Sequence, residues 1–482
     1  MRHDFTPRPL CGMTRRSALS TISCGFGSLA LAGLAGTNAE AAVASAGMMA
    51  PRAGLFPARA KRIIFLFMSG GVSHVDSFDH KPRLTEDNGK LLDFDDLRAI
   101  AKTGTSPKQR VMAPMWQFDK RGQSGLWVSD LFPEMAKHAD DLCVVRSMQT
   151  EGIAHGPATL FLHTGSTNFL RPSMGAWVSY GLGSESQNLP GFVTISPPMG
   201  NGGPRNYGTA FLPASYQGTA IGRAGMPAKD AVIRNITPGN TFGGDTRQRD
   251  AIRALNAAQA AGTAPGSEIE AMVESYELAW RMQTAGPMAF DLDSEPQHVR
   301  DLYGIGTAAT DQFGRQCLLA RRMAESGVRF IQVSYADNTN NPAWDQHSNL
   351  KKHGDHALAV DRPVAGLLED LKQRGMLEDT IVWWGGEFGR TPYAEKNGTG
   401  RDHNPAGFSI WLAGGGFKSG VAYGETDEFG HHAIADKVHM HDLHATLLHA
   451  LGLDHEKLTY RHAGRDFRLT DVHGRVVEDL FA

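Results

Sequence analysis

The residues in this chain best suited to chemistry are carboxylates and imidazoles in short groups: Ser73-His74-Val75-Asp76, Asp345-Gln346-His347, Glu387, Asp402-His403 and His441-Asp442. Thirteen of the twenty histidines lie after Trp344, in the segment that also holds Asp345, Glu387 and Asp402. Carboxylate oxygens and neutral imidazole nitrogens converging from several loops make a donor set for one or two divalent ions, with zinc, manganese, iron and calcium all admitted. Such an ion polarises an ester oxygen and lowers the pKa of water, so the chemistry implied is metal-dependent hydrolysis. Asp345 and His347 are two residues apart, and alternation along an extended segment puts both on one side, where a single ion could take both. Asp337 is a weaker substitute, and His353 and His356 are expected to face solvent on the helix that follows.

The elements that must position these groups are legible as apolar runs. Lys61 to Ser69 is a continuous apolar run stopped by Gly70-Gly71, the pattern of a strand buried on both faces of a parallel sheet. Further strands are predicted at 142–147, 191–196, 328–335, 380–386 and 408–413. Helices are predicted at 131–141, 155–163, 268–284, 311–326, 355–375 and 442–451. In the helix over 355–375, Leu358, Val364, Leu367, Leu368 and Leu371 keep helical spacing and Gly375 is the stop; Asp442 is the expected N-cap of the last helix. Strands alternating with helices predict an α/β, doubly wound, mostly parallel sheet with helices on both faces, whose site lies in the crevice at the strands' carboxyl ends. Residues 85–127 and 197–245 read as irregular insertions; the second, rich in Gly, Pro and Asn, would serve as a lid or an interface loop.

The N-terminus carries Met13-Thr14-Arg15-Arg16-Ser17, an apolar stretch to about Gly36 and then Ala39-Glu40-Ala41, the order of a twin-arginine export signal over residues 1–41. The expected partner there is the export machinery, the expected location periplasmic or secreted, and 42–59 a linker to one large domain over 60–482. The apolar stretch is short and interrupted for a stable membrane span. Removing the signal takes four basic and two acidic residues, which carries the formal charge from −3 to −5. No basic cluster suits nucleic acid, and no Gly-x-Gly-x-x-Gly or Walker sequence suits a nucleotide. The mature chain keeps Cys143 and Cys317, expected as buried thiols rather than a disulfide.

Phe65-Leu66-Phe67-Met68-Ser69-Gly70-Gly71-Val72-Ser73-His74-Val75-Asp76-Ser77-Phe78-Asp79, Asn188-Leu189-Pro190-Gly191-Phe192, Gly385-Gly386-Glu387-Phe388-Gly389-Arg390-Thr391-Pro392 and Asp402-His403-Asn404-Pro405 resemble the bacterial family catalogued as domain of unknown function 1501. That family is a distant branch of the alkaline phosphatase and sulfatase superfamily. The resemblance implies a fold of that type and residue roles that carry over position by position. His74 and Asp76 are the nearest candidates for the metal-binding aspartates that end the superfamily's first strand. His155 falls where a Ser, Thr or modified Cys nucleophile would open a helix, and imidazole there would bind metal or the substrate's anionic group, or act as leaving-group acid. Asp345 and His347 are similar to the superfamily's Asp and His metal pair. Glu387 and Phe388 replace an Asp-His pair, so a carboxylate survives and an imidazole is lost. Arg390 either holds a phosphate or sulfate oxygen or makes a structural salt bridge. His403 is read as ligand or general acid, and His441 as a further ligand from the last helix.

Two readings follow. The first is an exported metal-dependent hydrolase acting on a sulfate or phosphate ester of a small molecule or glycan. Its metal would be held by His74, Asp76, Asp345, His347, Glu387, His403 and His441, with His155, His403 and Arg390 as catalytic groups. The second is a non-catalytic periplasmic binding or assembly protein that keeps the fold and lacks the nucleophile.

Overall fold

The computed structural model describes residues 48–94, 108–231, 233, 250–252, 254–256, 268–336, 342–395 and 398–482. In chain order the strands that matter to the site are β1 (Arg62–Met68), β2 (Leu142–Gln149), β3 (Phe192–Ile195), β4 (Thr219–Ile221), β5 (Phe330–Tyr335), β6 (Thr380–Gly385), β7 (Gly389–Ala394), β8 (Arg401–Asn404), β9 (Phe408–Ala413), β10 (Val421–Tyr423) and β11 (Val438–His439). The main helices are α1 (His155–Thr164), α2 (Met174–Leu182), α3 (Asp311–Glu325), α4 (Lys352–Gln373) and α5 (Met440–Ala450).

Every residue of β1 is buried, as its unbroken apolar run requires of a strand covered on both faces. It lies inside a sheet of order β10-β2-β9-β6-β1-β5-β3-β4, with β11 also paired to β2. The pairs β1/β6, β1/β5, β5/β3 and β3/β4 are parallel, and β9 runs antiparallel to both of its neighbours. Alternation sorts β1 between two cores: Ile64, Leu66 and Met68 pack with α3 and α4, while Ile63, Phe65 and Phe67 pack with α1, α2 and α5. Phe65 stacks on Trp383 with centroids 3.7 Å apart, which locks β1 to β6 on that face. The result is the expected α/β, doubly wound, mostly parallel sheet with helices on both faces. Cys143 and Cys317 belong to opposite cores and are free thiols, with burial pushing Cys143 up to about 12.

Parallel pairing brings the ends of β1, β5 and β6 to one edge: Phe67 lies opposite Ser334 and Gly385. The loops leaving these three strands carry the candidate residues, and the antiparallel hairpin β7/β8 folds over the same edge.

Several local expectations are corrected. The segment expected as a helix over 131–141 forms 3-10 turns over Met135–Asp141, kinked at His138. Asp442 is the third residue of α5, not its cap: His439 caps, and its backbone amide donates to the Asp442 carboxylate at 3.0 Å. Residues 48–59 are not a loose linker, because Met48 joins the core, the Arg52 amide donates to the Leu182 carbonyl and the Leu55 amide to that of Gly452. The insertion 85–127 forms two hairpins, Leu91–Asp93 with Lys108–Arg110 and Phe118–Arg121 with Leu126–Ser129, around residues outside the description. The insertion 197–245 is not wholly external, since β4 extends the sheet beside β3. Residues 232 and 234–245 of it, the signal over 1–41 and Asp337 lie outside the described residues. Among the described residues no helix is long and apolar enough to cross a membrane.

Candidate metal centre

Gly70 and Gly71 end β1 at φ of +114° and +77°, conformations that favour glycine. A side chain at Gly70 would put its Cβ 2.7 Å from the Asp345 amide nitrogen and 2.8 Å from that of Trp344. The missing Cβ lets the loop after β5 close over the end of β1, and the Trp344 amide donating to the Ser69 carbonyl at 3.0 Å fixes it there. Asp345 therefore stands above β1, with His347 two residues on. In the hairpin, Arg390 of β7 pairs with His403 of β8, and the Arg401 amide donates to the Gln346 carbonyl, so β8 is tied to the Asp345 loop. From the other side α1 begins with His155, directly after the extended Ala154.

These placements put four side chains around one point. The Nε2 atoms of His155, His347 and His403 lie 3.1, 2.9 and 3.3 Å from Oδ1 of Asp345, and those of His347 and His403 are 2.9 Å apart. One donor atom from each of the four lies within 4.8 Å of the others.

The far sides of the rings settle what the near sides offer. Nδ1 of His155 faces Glu387 Oε1 at 2.6 Å, Nδ1 of His347 faces Glu395 Oε1 at 3.0 Å, and Nδ1 of His403 faces the Ile153 carbonyl at 2.6 Å. Each partner accepts only, so each Nδ1 carries a hydrogen and each neutral ring turns an Nε2 lone pair inward. Three lone pairs thus converge on a carboxylate oxygen. Acceptors facing acceptors are reconciled by a cation or by extra protons on the rings, and imidazole anchored through its other nitrogen to a carboxylate or carbonyl is how proteins orient metal-binding histidines.

The titration behaviour of the metal-free cluster has the same cause. Burial lowers His155, but hydrogen bonds and charge from Asp345 and Glu387 outweigh it and raise the ring to about 9. The Asp345 contact raises His347 against burial, whereas burial holds His403 below its ordinary value. Burial opposes charge on Asp345, yet its three imidazole bonds and Arg390 hold it well below the carboxylate range. The extra proton that His155 holds up to about 9 stands where a metal ion would otherwise sit.

The remaining candidates do different work. Glu387 is fully buried, accepts the Gly70 amide at 3.1 Å on each oxygen and orients His155 from outside the cluster. Arg390 is fully buried and donates to the carbonyls of Gly70, Gly71, Trp344 and Arg401 as well as to Asp345 at 2.8 Å, so its guanidinium is spent on structure rather than open to a substrate anion. Asp76 forms an ion pair with Arg401 at 2.7 Å with neither side chain exposed, and also accepts from Ser73 and from the Met115 amide. His74 is buried, with Nε2 2.7 Å from the Gly430 carbonyl, and burial lowers its pKa. His441 sits at the Gly165 carbonyl, 3.1 Å away, stacked on His473. None of these three reaches the cluster. His353, expected at the surface, is buried against Trp344 and accepts the Ser73 amide at 3.2 Å; His356 is half-buried beside the Tyr335 hydroxyl. Glu395 was not foreseen, because only the hairpin brings it to His347. The partners of the four clustered side chains include no hydroxyl among the described residues.

A cavity of about 400 Å³ bordered by Phe313, Ser334, Tyr335, Ala343 and His356 adjoins the same loop but holds none of the four clustered side chains.

Among solved structures, the chain is similar to Ps i-CgsB, solved in complex with k-i-k-neocarrahexaose, at 11% identity and a TM-score of 0.35 over 82% of this chain and 72% of that one. It is similar to a protein in the alkaline phosphatase superfamily from Vibrio parahaemolyticus at 10% identity and a TM-score of 0.33, over 84% and 70%. The phosphonate monoester hydrolase SpPMH from Silicibacter pomeroyi is 12% identical with a TM-score of 0.33, over 72% and 71%. Likeness this distant leaves the chemistry to be argued from the chain's own residues. No curated protein matches the sequence. The model of the family described as Protein of unknown function (DUF1501) matches residues 60–481, and the chain belongs to that family.

Proposed function

We propose that this protein is an exported metal-dependent hydrolase of sulfate or phosphate esters, with one divalent ion held by His155, Asp345, His347 and His403. The observation that carries the reading is the convergence of three Nδ1-anchored imidazoles on one carboxylate oxygen. Three nitrogens and one oxygen suit zinc, iron or manganese better than calcium, which prefers an oxygen shell. A bound ion would polarise the ester oxygen and lower the pKa of water. The chain's residues hold and orient: Glu387, Glu395 and the Ile153 carbonyl fix the rings, and Arg390 fixes Asp345. His155 serves here as a ligand rather than as a nucleophile, and the attacking oxygen comes from solvent. Export rests on the twin-arginine pattern of residues 1–41.

One observation favours a second reading, that of a binding or assembly protein: an imidazole stands where the superfamily resemblance calls for a hydroxyl. Elemental mass spectrometry on untagged protein purified from periplasm without chelator decides between the two. Near-stoichiometric metal that is lost in an Asp345→Ala, His347→Ala variant supports the hydrolase and selects the ion for an ester screen. A folded, metal-free wild type would sink it, and recovery of the full-length precursor from cytoplasm alone would sink the export route.

A further inference from the structure

The hairpin of Tyr460–His462 with Arg465–Phe467 turns through Ala463-Gly464, both at positive φ, the two-residue geometry that suits paired antiparallel strands. Alternation in that register puts Tyr460, His462, Arg465 and Phe467 on one face and the Arg461–Asp466 ion pair on the other. Phe211 packs onto the first face, stacked on His462 with centroids 4.9 Å apart and planes at 13°, and 4.9 Å from the Phe467 ring. The Arg171 guanidinium lies 4.3 Å from the Phe467 centroid and 5.7 Å from that of Phe169, and the Arg465 guanidinium lies 4.9 Å from that of Phe467. Rings and guanidinium groups thus adjoin across a surface that continues to Phe169 and Leu170, which are 65% and 63% exposed.

Arg171 differs from the other arginines here. Arg461 pairs with Asp466, Arg465 with Asp471 and Arg468 with Glu456, whereas among the described residues Arg171 makes ring contacts and no hydrogen bond or ion pair. It is half-buried, and burial lowers its pKa; Asp471 opposes that and Arg465 adds to it. Its five N–H donors therefore stand beside exposed rings without an acceptor, and a guanidinium fork matches the oxygens of an acidic group. The negative face of an aromatic ring suits the C–H face of a sugar. Glu456, Asp466 and Asp471, which lie among the arginines, would repel a DNA backbone and would lose water at a bilayer surface, while sugar hydroxyls donate to them.

We infer that Phe169, Arg171, Phe211, His462, Arg465 and Phe467 form a binding platform for an acidic glycan, one that carries carboxylate or sulfate groups. Sugar faces lie on the exposed rings and an acidic substituent takes the Arg171 fork. The platform is separate from the metal cluster: α1 starts there with His155 and runs about 15 Å to Thr164 before the chain reaches Phe169. Glycan binding is therefore independent of metal.

Affinity electrophoresis of the untagged mature protein in chelator, through gels holding heparin, polygalacturonate or neutral dextran, tests this. Retardation by one or both acidic glycans and none by dextran is expected. Arg171→Gln should weaken binding by about 10-fold, and Phe169→Ser should weaken it too, while Lys229→Gln beside α3 should not. Phe169 is largely exposed, so its variant still reads binding if Arg171→Gln proves less stable in a thermal melt. Retardation that is the same in wild type, Arg171→Gln and Phe169→Ser, or equal on dextran, overturns the inference. So does a lack of retardation, and Arg171-dependent binding to phosphatidylglycerol vesicles or a DNA oligonucleotide in its place would give the surface to that partner instead. Because metal is absent throughout, each of these results leaves the reading of the metal centre standing.

Discussion

At Asp345 one carboxylate oxygen meets three imidazole nitrogens and a guanidinium, an arrangement that is electrostatically complete only with a cation or extra protons in it. The outer carboxylates therefore matter as much as the ligands. Glu387→Gln removes the charged acceptor behind His155 while keeping its shape, and metal affinity is expected to fall by about 10–100-fold, read from competition with a chromogenic chelator. The metal-free state carries its own signature. His155 is raised from 6.5 to about 9, so its contribution is present in full below pH 6.5 and is lost as the pH rises through 9. At 1.36 kcal/mol per unit that is roughly 3 kcal/mol. Thermal unfolding of chelated protein should therefore show stability falling from pH 6.5 to 9, with the fall flattened in His155→Gln. A flat wild-type profile would mean that His155 is not protonated in the cluster. Sequence alone named Asp345, His347 and His403 as candidates, since paired Asp and His types near apolar runs carry that information, and the family resemblance added His155. It could not separate them from His74, Asp76 and His441, whose types are identical and whose partners are a distant carbonyl, a buried arginine and a helix-end carbonyl.

The elements converge because two of them touch without side chains between them. Gly70 ends β1 where a Cβ would strike the Asp345 loop, in a backbone region that disfavours other residues. Gly70→Ala is expected to cost about 2–4 kcal/mol from the combined strain and overlap, measured by urea unfolding. It should also lower metal occupancy by moving Asp345; an unchanged midpoint would show that the loop yields freely. The parallel strands were legible because a strand covered on both faces must be apolar throughout: Lys61 to Ser69 contains β1, and 380–386 contains β6. The 3-10 turns at Met135–Asp141, the edge strand β4 and the hairpin β7/β8 were not, because short polar segments take their conformation from what they pack against.

Across the whole molecule the site is held by ties between distant segments. Arg401 lies beside the Asp402-His403 pair, yet its guanidinium joins Asp76 after β1 and the carbonyls of Met112 and Ala113 in the first insertion. The insertion is thus a brace for the hairpin. Asp76→Asn leaves a buried arginine without its counter-charge and should destabilise the fold by about 3–5 kcal/mol. If the cluster of His155, Asp345, His347 and His403 takes an ion as proposed, the variant that remains folded should still bind it, because Asp76 does not reach that cluster; loss of metal without loss of stability would reverse that assignment. By itself the sequence determined the doubly wound class, the burial of β1 and the pool of candidate ligands, since apolar periodicity and residue type are local properties. Only the tertiary structure decided which carboxylates and imidazoles meet, that Arg390 is inward-facing and Asp76 paired, and that Glu395 stands behind His347. Those contacts join residues tens to hundreds of positions apart, and they are set by parallel strand register and by close approaches at glycine that no local pattern encodes.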